Sequence, residues 1–509
     1  MEAVPADVVR NVVVLGGGSA GFLAALTLKL KLPELSVRVI HSSDLGIIGV
    51  GEGSTVVLTR FLHHYLRLAP ARFFEIAQPT WKLGLKFVWG PRESFHYTFG
   101  SGPVSQAKGL GRPVGFYCDA DLTHQDMHSA LMAQDKVFER APHGTPALHP
   151  SVAYHFENEK FVRFLHGAAQ AAGVAVQDEK VVDVVVDEQG VRSLKLASGQ
   201  DVSADLFVDA SGFASALLGK ALKVPFVSYA PSLFNDRAVV GGWDREPGDP
   251  IRPYTSCSTM NSGWLWQIEH ETRINRGYVY CSSFISDEEA AREFRAASPK
   301  VTGPTRVVKF VSGRYERSWV KNVVAVGNSS GFVEPLEATA LGVIAMQCRL
   351  LADCLRESGG RPNEPLRHCT NDFHRRNWDA VRRFLAVHYR YNTRLDTPYW
   401  RHCRAATDLA GAEPIVDFYR HNGPSLLAQD MLVDRFDQFG LSGYYAMLLG
   451  QRVPHASAYE PTAAERAAWS QGVAAMDQAA RRAVPVAEAL AAVRSPGWRW
   501  EPKMVAEAM

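Results

Sequence analysis

The N-terminal region alternates between apolar runs and a glycine-rich turn. Residues 12–15 are apolar without interruption and residues 37–40 are largely apolar, so each run predicts a buried strand of a parallel sheet. Residues 22–30, which lie between them, are rich in alanine and leucine and predict a helix. The three segments together predict a strand–helix–strand unit of about 30 residues.

The turn after the first strand carries the glycine pattern of dinucleotide-binding loops. It reads Gly16-Gly17-Gly18-Ser19-Ala20-Gly21. In this setting Gly16 permits the tight turn, Gly18 lets the backbone approach a pyrophosphate, and Gly21 allows the helix to pack closely. Ser19 and Ala20 belong to the same loop, and the N-terminus of the helix that follows faces the phosphate. The loop therefore predicts a bound dinucleotide.

The residue that ends the second strand usually binds the ribose hydroxyls through a carboxylate. Here that position is His41, and Ser42, Ser43 and Asp44 follow. A hydroxyl or imidazole contact can replace the carboxylate, so the identity of the ribose partner stays open.

The middle of the chain predicts a return to the same sheet. Residues 158–172 predict a helix with Asn158 as its N-cap, and residues 181–186 and 191–196 predict two strands joined by a turn. Residues 206–208 lead into Asp209-Ala210-Ser211-Gly212, where Asp209 is expected to contact the cofactor. This order resembles the flavoprotein monooxygenase fold, an α/β fold in which a β-sheet substrate domain is inserted into a Rossmann-type FAD domain.

The resemblance implies a discontinuous division of the chain. Residues 1–340 would form the FAD-binding module, interleaved with a substrate-domain sheet from residues of about 80–155 and 215–320. Residues 341–509 are mostly helical in pattern and would complete the substrate site.

The composition of the chain argues against several classes of function. The chain has 509 residues, a net charge of +2 and dispersed basic residues, which argues against a nucleic-acid partner. The longest apolar stretch, residues 12–28, contains the glycine loop and therefore predicts no membrane span. Seven cysteines without a Cys-x-x-Cys pair favour neither a disulfide framework nor a metal site. A reducing, cytoplasmic location is expected.

Residues 81–89 alternate strictly between apolar and other positions. Trp81, Leu83, Leu85, Phe87 and Trp89 share one face of a predicted strand. Lys82, Gly84 and Lys86 share the other face, where Gly84 would leave space beside Lys82. By itself this pattern is typical of a half-buried strand with two ordinary lysines on its wet side.

Three further segments carry a family resemblance. They are Trp264-Leu265-Trp266-Gln267-Ile268, then Gly327-Asn328-Ser329-Ser330-Gly331-Phe332-Val333-Glu334-Pro335-Leu336-Glu337, and the loop Gly49-Val50-Gly51-Glu52-Gly53. Together they resemble the motifs of flavin-dependent halogenases of the tryptophan-halogenase type. The resemblance spans residues of about 10–450, and the motifs occur in the family order.

The resemblance implies a role for each motif. Lys82 would be the essential lysine that relays halogen, with Lys86 as the fallback, and Glu337 would take the ring proton. Halide would bind the backbone at Thr339 and Ala340. The remaining roles are FAD contacts at Gly16, Gly18, Ser19, Ala20, Gly21, Gly49, Val50, Gly51, Glu52, Asp209, Gly327 and Asn328, and a wall between flavin and substrate at Trp264 and Trp266.

The chain departs from the family pattern at four positions. Glu269 stands where the tryptophan motif continues with proline, so the turn there is expected to differ. Ala338 and Ala340 replace a common serine and glycine on either side of Thr339, which implies a reshaped halide site. Gly53 replaces a common alanine, which implies a looser flavin strap.

The resemblance implies a FADH2-dependent halogenase. It would use O2 and chloride or bromide to make hypohalous acid, and would halogenate an electron-rich aromatic such as an indole. The sequence has no second glycine fingerprint, which favours a separate NAD(P)H flavin reductase. His96, Tyr444 and Tyr445 are candidate substrate contacts. An aromatic hydroxylase and a non-catalytic flavoprotein are the alternatives, and both a monomer and a homodimer fit.

Overall fold

The computed structural model describes residues 8–46, 51–119, 121–434 and 437–500. Gly49 and Val50, predicted to contact the cofactor, lie outside the described residues. The predicted N-terminal unit is present as the strand Asn11–Leu15, the helix Ser19–Lys31 and the strand Ser36–His41. The two strands are parallel neighbours, with Leu15 opposite Ile40.

These strands belong to a six-stranded sheet, here called the nucleotide sheet. Its strands in spatial order are Trp319–Val320, Val323–Ala325, Leu206–Asp209, Asn11–Leu15, Ser36–His41 and Ala175–Asp178. All neighbours are parallel except the first pair. Leu15, Asp209 and Ala325 lie opposite one another at the carboxyl ends of three adjacent strands. The glycine loop therefore shares its sheet edge with the turns after residues 209 and 325.

A seven-stranded sheet, here called the large sheet, faces the catalytic candidates. Its strands in spatial order are Arg306–Lys309, Arg237–Asp244, Arg273–Tyr280, Gly263–Glu269, Tyr254–Met260, Gly84–Val88 and Phe95–Thr98. The sheet is antiparallel except where Gly84–Val88 runs parallel to Tyr254–Met260.

The predicted strand over residues 81–89 is divided between two sheets. Thr80–Lys82 belongs to a three-stranded sheet, here called the small sheet, with Ala153–Phe156 at its centre and Glu52–Gly53 on the far side. Gly84–Val88 belongs to the large sheet. The apolar face is continuously buried, but it feeds two cores: Trp81 and Leu83 pack in one, and Leu85 and the later members pack in the other.

Gly84 was expected to leave space beside Lys82, and the structure gives another reason for this glycine. A Cβ at Gly84 would lie 2.2 Å from the carbonyl oxygen of Tyr97 and 2.8 Å from Thr98 Cα. The neighbouring strand therefore approaches so closely that only glycine fits.

The remaining strands form three small ribbons. They are Val181–Asp187 with Gly190–Leu196 and Asp201–Val202, Phe226–Ser228 with Gly313–Tyr315 and Gly331–Phe332, and Lys136–Phe138 with Val484–Pro485. The other α-helices are Val56–Arg60, Pro70–Ile76, Met127–Ala133, Asn158–Ala171, Asp287–Ala297, Ala340–Glu357, Glu364–Tyr391, Pro398–Ala406, Glu413–Asn422, Gln429–Leu432, Gly440–Gly450, Ala463–Arg482 and Val486–Val493.

The helix Glu364–Tyr391 connects the C-terminal region to the large sheet. Its Phe384 and His388 pack against Tyr97 and Phe87 of that sheet, with ring centroids 5.7 and 5.4 Å apart. Trp89 Nε1 donates to the carbonyl of His388 at 2.9 Å. The helix thus delivers side chains from a distant part of the sequence to the edge of the large sheet, beside the strand Gly84–Val88 that follows Lys82 in the chain.

All seven cysteines are free. In the described part of the chain, no cluster of His, Cys, Asp and Glu side chains has the arrangement of a metal site. Among the described helices, none is long and apolar enough to cross a membrane.

We predict that Gly84→Ala destabilises the protein, because the new methyl group would force apart two backbone strands. The expected loss in the free energy of unfolding is about 1–3 kcal/mol, measured by chemical or thermal unfolding. The matched control is Gly472→Ala in the helix Ala463–Arg482, where an added Cβ meets no atom within 4 Å. This control should be stabilised by about 0.5–1 kcal/mol. An unchanged Gly84→Ala protein would contradict the close approach.

Candidate active site

A cavity of about 1180 Å³ runs along the carboxyl edge of the nucleotide sheet and under the large sheet. Pockets for small ligands commonly measure roughly 300–1,000 Å³, so this one is large enough for a dinucleotide. Gly16, Gly18, Ser19 and Ala20 line one end. A Cβ on Gly18 would meet no atom within 4 Å, so its backbone faces open space, as close contact with a pyrophosphate requires.

The residues at this end fit the dinucleotide expected from the sequence. Gly16 has a φ of +126°, and a Cβ there would lie 2.2 Å from the carbonyl oxygen of Ala210, which explains the glycine. Gly21 supports the loop from behind, since a Cβ there would lie 1.9 Å from the Gly16 oxygen. His41 also lines the cavity and stands where the ribose-binding acid is usual.

Two hydrogen bonds between side chains link the glycine loop to Glu52, a residue of the predicted flavin-contacting loop over residues 49–53. Ser19 Oγ donates to Asn158 Oδ1 at 3.1 Å, and Asn158 Nδ2 donates to Glu52 Oε1 at 3.4 Å. Asn158 is therefore not the N-cap that the sequence predicted: Glu157 is in that position, without a side-chain cap. Burial raises the pKa of Glu52 to about 7. Glu52 and Gly51 both line the cavity.

Asp209 was predicted to contact the cofactor, and the structure corrects this. One carboxylate oxygen accepts from the Ser211 N–H and hydroxyl at 3.1 and 2.6 Å. The other accepts from the N–H groups of Leu217 and Leu218 at 2.8 and 2.9 Å. The carboxylate is fully occupied in ordering the turn at residues 211–218. The backbone of that turn, not Asp209 itself, lines the cavity.

The turn after the strand Val323–Ala325 brings the second motif to the cavity. Gly327 has a φ of +61°, and its N–H donates to Gln347 Oε1 at 2.8 Å. Asn328 lines the cavity beside it. The positive φ and the anchored N–H together hold Asn328 at the cavity wall.

Lys82 lies beyond the wall of this cavity and is fully buried. Its Nζ donates to the carbonyl of Ser54 at 3.2 Å and lies 5.2 Å from the ring centroid of Phe99. Burial lowers the pKa of Lys82 to about 8, although the nearby Glu337 carboxylate favours the charged amine. A substantial neutral fraction is therefore accessible near physiological pH.

Glu337 ends the short 3-10 helix Pro335–Glu337 and is buried against His388. His388 Nδ1 lies 2.9 Å from the carbonyl oxygen of Phe384, which only accepts, so this nitrogen carries a proton. His388 Nε2 lies 2.7 Å from Glu337 Oε1, and the two groups share a proton. Burial raises the pKa of Glu337, while His388 and Lys82 favour its charged form. The sequence analysis did not find His388, because 51 residues separate it from Glu337.

The predicted halide contacts lie where a helix begins. Ala338 has a φ of +54°, which turns the chain sharply, and the helix Ala340–Glu357 starts two residues later. The first N–H groups of a helix have no partner within it and attract anions. Thr339 and Ala340 both line the cavity.

The two motif tryptophans differ in position. Trp266 and Ile268 line the cavity, whereas Trp264 lies deeper and donates through Nε1 to Glu334 Oε1 at 3.1 Å. Glu334 also accepts from Asn235 Nδ2 at 3.1 Å and from the Tyr389 hydroxyl. Burial raises the pKa of Glu334 to about 8. Sequence analysis missed this network, which joins residues of four distant segments and anchors Trp264.

Glu269, which replaces the motif proline, extends the strand Gly263–Glu269 and is buried. It forms ion pairs with Arg245 and, at 3.7 Å, with Arg252. Its carbonyl accepts from Thr80 Oγ1 at 2.6 Å, which ties this strand to the one that carries Lys82.

The candidate substrate contacts are distributed differently from the prediction. His96 points away from Glu337, because its Nδ1 lies 3.2 and 3.1 Å from the carbonyl and hydroxyl oxygens of Ser129. The neighbouring Tyr97 faces Glu337 instead: burial and the Glu337 carboxylate raise the pKa of its phenol well above the usual value. Phe99 is on the same side, beside Lys82. The period of two in a strand could have identified this pair.

Tyr444 and Tyr445 are adjacent on the helix Gly440–Gly450 but face different partners. The Tyr444 hydroxyl donates to Asp437 Oδ2 at 2.9 Å, and its ring packs on Phe384 at 5.1 Å, near Tyr97. The Tyr445 hydroxyl donates to the carbonyl of Ser425 at 2.7 Å. Both rings are buried, and their contact with substrate stays a prediction.

Known proteins resemble the chain over most of its length. MibH, a lathipeptide tryptophan 5-halogenase, is 38% identical in sequence, with a TM-score of 0.86 over 96% of this chain and 95% of its own. The 7-chloro-L-tryptophan 6-halogenase KtzR of Kutzneria sp. (strain 744) is 32% identical over 76% of this chain and 81% of its own. The tryptophan 7-halogenase RebH of Lentzea aerocolonigenes is 29% identical over 87% and 89%.

The family comparison agrees with these relatives. The model of the family described as tryptophan halogenase matches residues 11–468. The predicted flavoprotein architecture and the predicted family are thereby confirmed. The chain belongs to the tryptophan halogenase family of flavin-dependent enzymes.

Proposed function

We propose that this protein is a FADH2-dependent halogenase that uses O2 and chloride or bromide to halogenate an electron-rich aromatic ring such as an indole. The observation that carries the proposal is the buried pair of Lys82 and Glu337, which lies beside the cofactor cavity but beyond its wall. The related tryptophan halogenases make the indole ring the favoured substrate class.

The residues of the cavity would hold FAD and halide. The glycine loop from Gly16 to Gly21 would receive the pyrophosphate, and Asn328 and Glu52 would contact the rest of the cofactor. Reduced FAD, when bound, would supply the two electrons that bring O2 to the peroxide level, and oxygen at that level would oxidise halide to hypohalous acid. The N–H groups at Thr339 and Ala340 would hold the halide beside it. A separate NAD(P)H flavin reductase would deliver the reduced cofactor.

Lys82 would receive the oxidant and transfer the halogen. The neutral amine attacks the halogen of hypohalous acid, and water leaves, so that a nitrogen–halogen bond replaces the oxygen–halogen bond. The aromatic ring then attacks the same halogen, so that a carbon–halogen bond forms as the nitrogen–halogen bond breaks, and the ring proton that Glu337 takes is returned to the nitrogen to restore the amine. Burial serves this step, because it lowers the pKa of the amine and keeps water from the haloamine.

Glu337 would complete the substitution. The ring that has accepted the halogen is a cation, and a nearby carboxylate both stabilises it and takes its proton. The raised pKa of Glu337 makes it a stronger base than an exposed carboxylate. His388 would act as a positioning residue, since its hydrogen bond to Glu337 at 2.7 Å favours the charged form of the carboxylate and fixes the oxygen that it contacts.

The wall between cavity and amine gives the reaction its selectivity. Trp266, Ile268 and Pro335 line the cavity side of this wall, and Tyr97 and Phe99 lie on the far side with Lys82. A substrate ring held among those aromatics would meet the oxidant but not the flavin. Hydroxylation by direct contact with the cofactor would thereby be avoided.

The function can be tested with a coupled assay. The purified protein is incubated with FAD, a generic flavin reductase, NADH and either bromide or chloride, and with indole, L-tryptophan or a tryptophan-containing peptide. Mass spectrometry should show a monohalogenated product. A product heavier by one oxygen, or reduction of the flavin by NADPH without a reductase, would instead favour an aromatic hydroxylase.

We predict that Lys82→Ala abolishes halogenation while FAD binding persists, because the variant loses the relay but not the cavity. The expected loss in rate is about 10²–10⁴-fold. The matched control is Lys86→Ala. Lys86 belongs to the large sheet and not to the small sheet that carries Lys82, and its Nζ lies 6.0 Å from the ring centroid of Tyr254. Its rate should stay within roughly twofold of the parent. Near-normal turnover by Lys82→Ala would refute the relay.

We further predict that the yield of halogenated product per oxidant formed rises with pH. With a pKa of about 8, the neutral amine of Lys82 makes up about one-tenth of the population at pH 7 and a large majority at pH 9. The yield is measured as product divided by product plus trapped oxidant. Lys82→Arg should show no rise, because guanidinium stays protonated. A yield that falls above pH 8 would assign the role to the ammonium form.

A further inference from the structure

Two histidine rings lie at the end of the cofactor cavity where the chain lacks the usual ribose-binding acid. His41 ends the strand Ser36–His41, and its ring lies so close to the glycine loop that a Cβ on Gly17 would be 2.7 Å from His41 Cγ. His166 comes from the helix Asn158–Ala171. Both residues line the cavity of about 1180 Å³. We call them the imidazole pair.

Phe22 orders the imidazole pair. It follows the glycine loop in the helix Ser19–Lys31 and is buried. Its ring stacks on the His166 ring, with centroids 5.0 Å apart and planes inclined by 27°. The His41 ring meets Phe22 edge-on, with centroids 6.2 Å apart. One buried aromatic ring thus holds both imidazoles at the end of the cavity that the glycine loop forms.

The imidazole pair has hydrogen-bonding capacity that the protein itself does not use. In the described part of the chain, His166 Nε2 is buried and has no hydrogen-bond partner. A buried polar atom without a partner costs free energy, so such an atom on a residue of the cavity wall favours a ligand there. Burial and the neighbouring His41 lower the pKa of His166, so this ring is neutral near pH 7. A neutral imidazole has one donor and one acceptor.

Two acidic side chains on the neighbouring segment are engaged within the protein. Asp178 lies opposite His41 in the adjacent parallel strand, and its Oδ1 accepts from the Ser43 N–H at 2.9 Å. Glu179 follows it, and its Oε1 accepts from the Ser198 N–H at 2.6 Å. These carboxylates order turns of the protein, which leaves the imidazole pair to meet a ligand at this position.

Glu159 also lines the cavity, but it lies toward the pyrophosphate end. It follows Asn158, whose Oδ1 accepts from Ser19 of the glycine loop at 3.1 Å. His166 lies about two helical turns further along the same helix. The ribose that follows the pyrophosphate would therefore lie on the side of His166.

We propose that the imidazole pair binds the ribose hydroxyls of the adenosine half of FAD, in place of the usual carboxylate. The inference rests on the proposed function for the identity of the dinucleotide. Each ribose hydroxyl can donate and accept a hydrogen bond, as a neutral imidazole can, so the groups are complementary. His166 is a cofactor contact that no sequence motif indicates, because it lies far from His41 along the chain.

The test measures binding of oxidised FAD to the purified protein, without halide or reductase. Two FAD analogues, with 2′-deoxyadenosine or 3′-deoxyadenosine in place of adenosine, report on each ribose hydroxyl. The hydroxyl preference is the dissociation constant of the analogue divided by that of FAD, both measured by flavin fluorescence. The affinity for FMN, which has no adenosine half, and thermal unfolding report whether a variant keeps the rest of the cavity.

The variants separate the imidazoles from the competing acid. His166→Phe keeps a ring on Phe22 and removes both nitrogens, His166→Gln keeps a donor and an acceptor, and His41→Glu restores the usual acid. Glu159→Gln tests the other acid of the cavity wall. The matched control is Gln170→Leu, one turn after His166, where the side chain is exposed and outside the described cavity lining.

The expected result is a hydroxyl preference that depends on the imidazole pair. The parent protein should prefer FAD to at least one analogue by about three- to tenfold, the contribution of one hydrogen bond. His166→Phe should abolish that preference and weaken FAD binding by the same factor, with FMN affinity unchanged. His166→Gln should recover the preference, and His41→Glu should keep it and bind FAD at least as tightly as the parent. Glu159→Gln and Gln170→Leu should match the parent.

Three outcomes would overturn the inference. They are equal affinity of the parent for FAD and both analogues, a parental preference in His166→Phe, and loss of the preference in Glu159→Gln. The last outcome would assign the ribose to the acid. If His166→Phe does not fold, His166→Leu takes its place and the same preference decides.

Failure of this inference and failure of the proposed function can be distinguished. A parent protein that does not bind FAD would refute both. A protein that halogenates but whose hydroxyl preference ignores His166 would refute the imidazole pair alone. A protein that shows the preference but forms no halogenated product from any halide would refute the halogenase and leave the ribose site in place.

Discussion

The burial of Lys82 beside Glu337 is the constraint on which the rest of the site depends. Removing a charged group from water is costly unless an opposite charge or hydrogen bonds compensate. The two side chains compensate each other, and each has one further contact: the Ser54 carbonyl for Lys82 and the His388 ring for Glu337. The pKa of Lys82 is lowered and the pKa of Glu337 is raised, so burial favours the neutral form of each group. In the proposed reaction, the neutral amine accepts the halogen and Glu337 accepts the ring proton.

Three separate parts of the fold meet to maintain this pair. The small sheet carries Lys82. Its central strand, Ala153–Phe156, pairs with the strand of Lys82 on one side and with Glu52–Gly53 on the other, and so holds Lys82 near Gly53. The turn at Ala338 presents Glu337 and starts the helix that would hold halide. The helix Glu364–Tyr391 brings His388 from the C-terminal region. The division of the chain into an FAD module and a helical region that completes the substrate site stays a prediction.

The sequence analysis succeeded where a function depends on local backbone geometry. The glycine loop, its flanking strands and the motif around Gly327 are continuous segments, and their glycines serve turns or close approaches that the local pattern specifies. It was incomplete where a motif does not show which groups its side chains contact. Asp209 looks like a ligand contact in its motif, yet its carboxylate accepts from four donors of Ser211, Leu217 and Leu218.

The sequence pattern was also incomplete for the residues around the candidate substrate site. The alternation over residues 81–89 correctly predicted a buried apolar face, but it did not reveal that Leu83 separates strands of two sheets. Gly84 was expected to leave space beside Lys82. The close approach of the Tyr97 backbone shows that strand packing requires a glycine at this position. His96 was selected in place of Tyr97, because a motif search does not tell which face of a strand meets Glu337.

The sequence by itself determined the family, the nucleotide-binding unit and the identity of the lysine and glutamate candidates. These follow from short motifs in which neighbouring residues act through one turn or one strand. Only the tertiary structure decided that Lys82 and Glu337 are both buried and close enough to shift each other's pKa values, and that His388 and Tyr97 lie beside Glu337. The physical reason is that burial and electrostatic coupling depend on distance in space, which separation along the chain does not report.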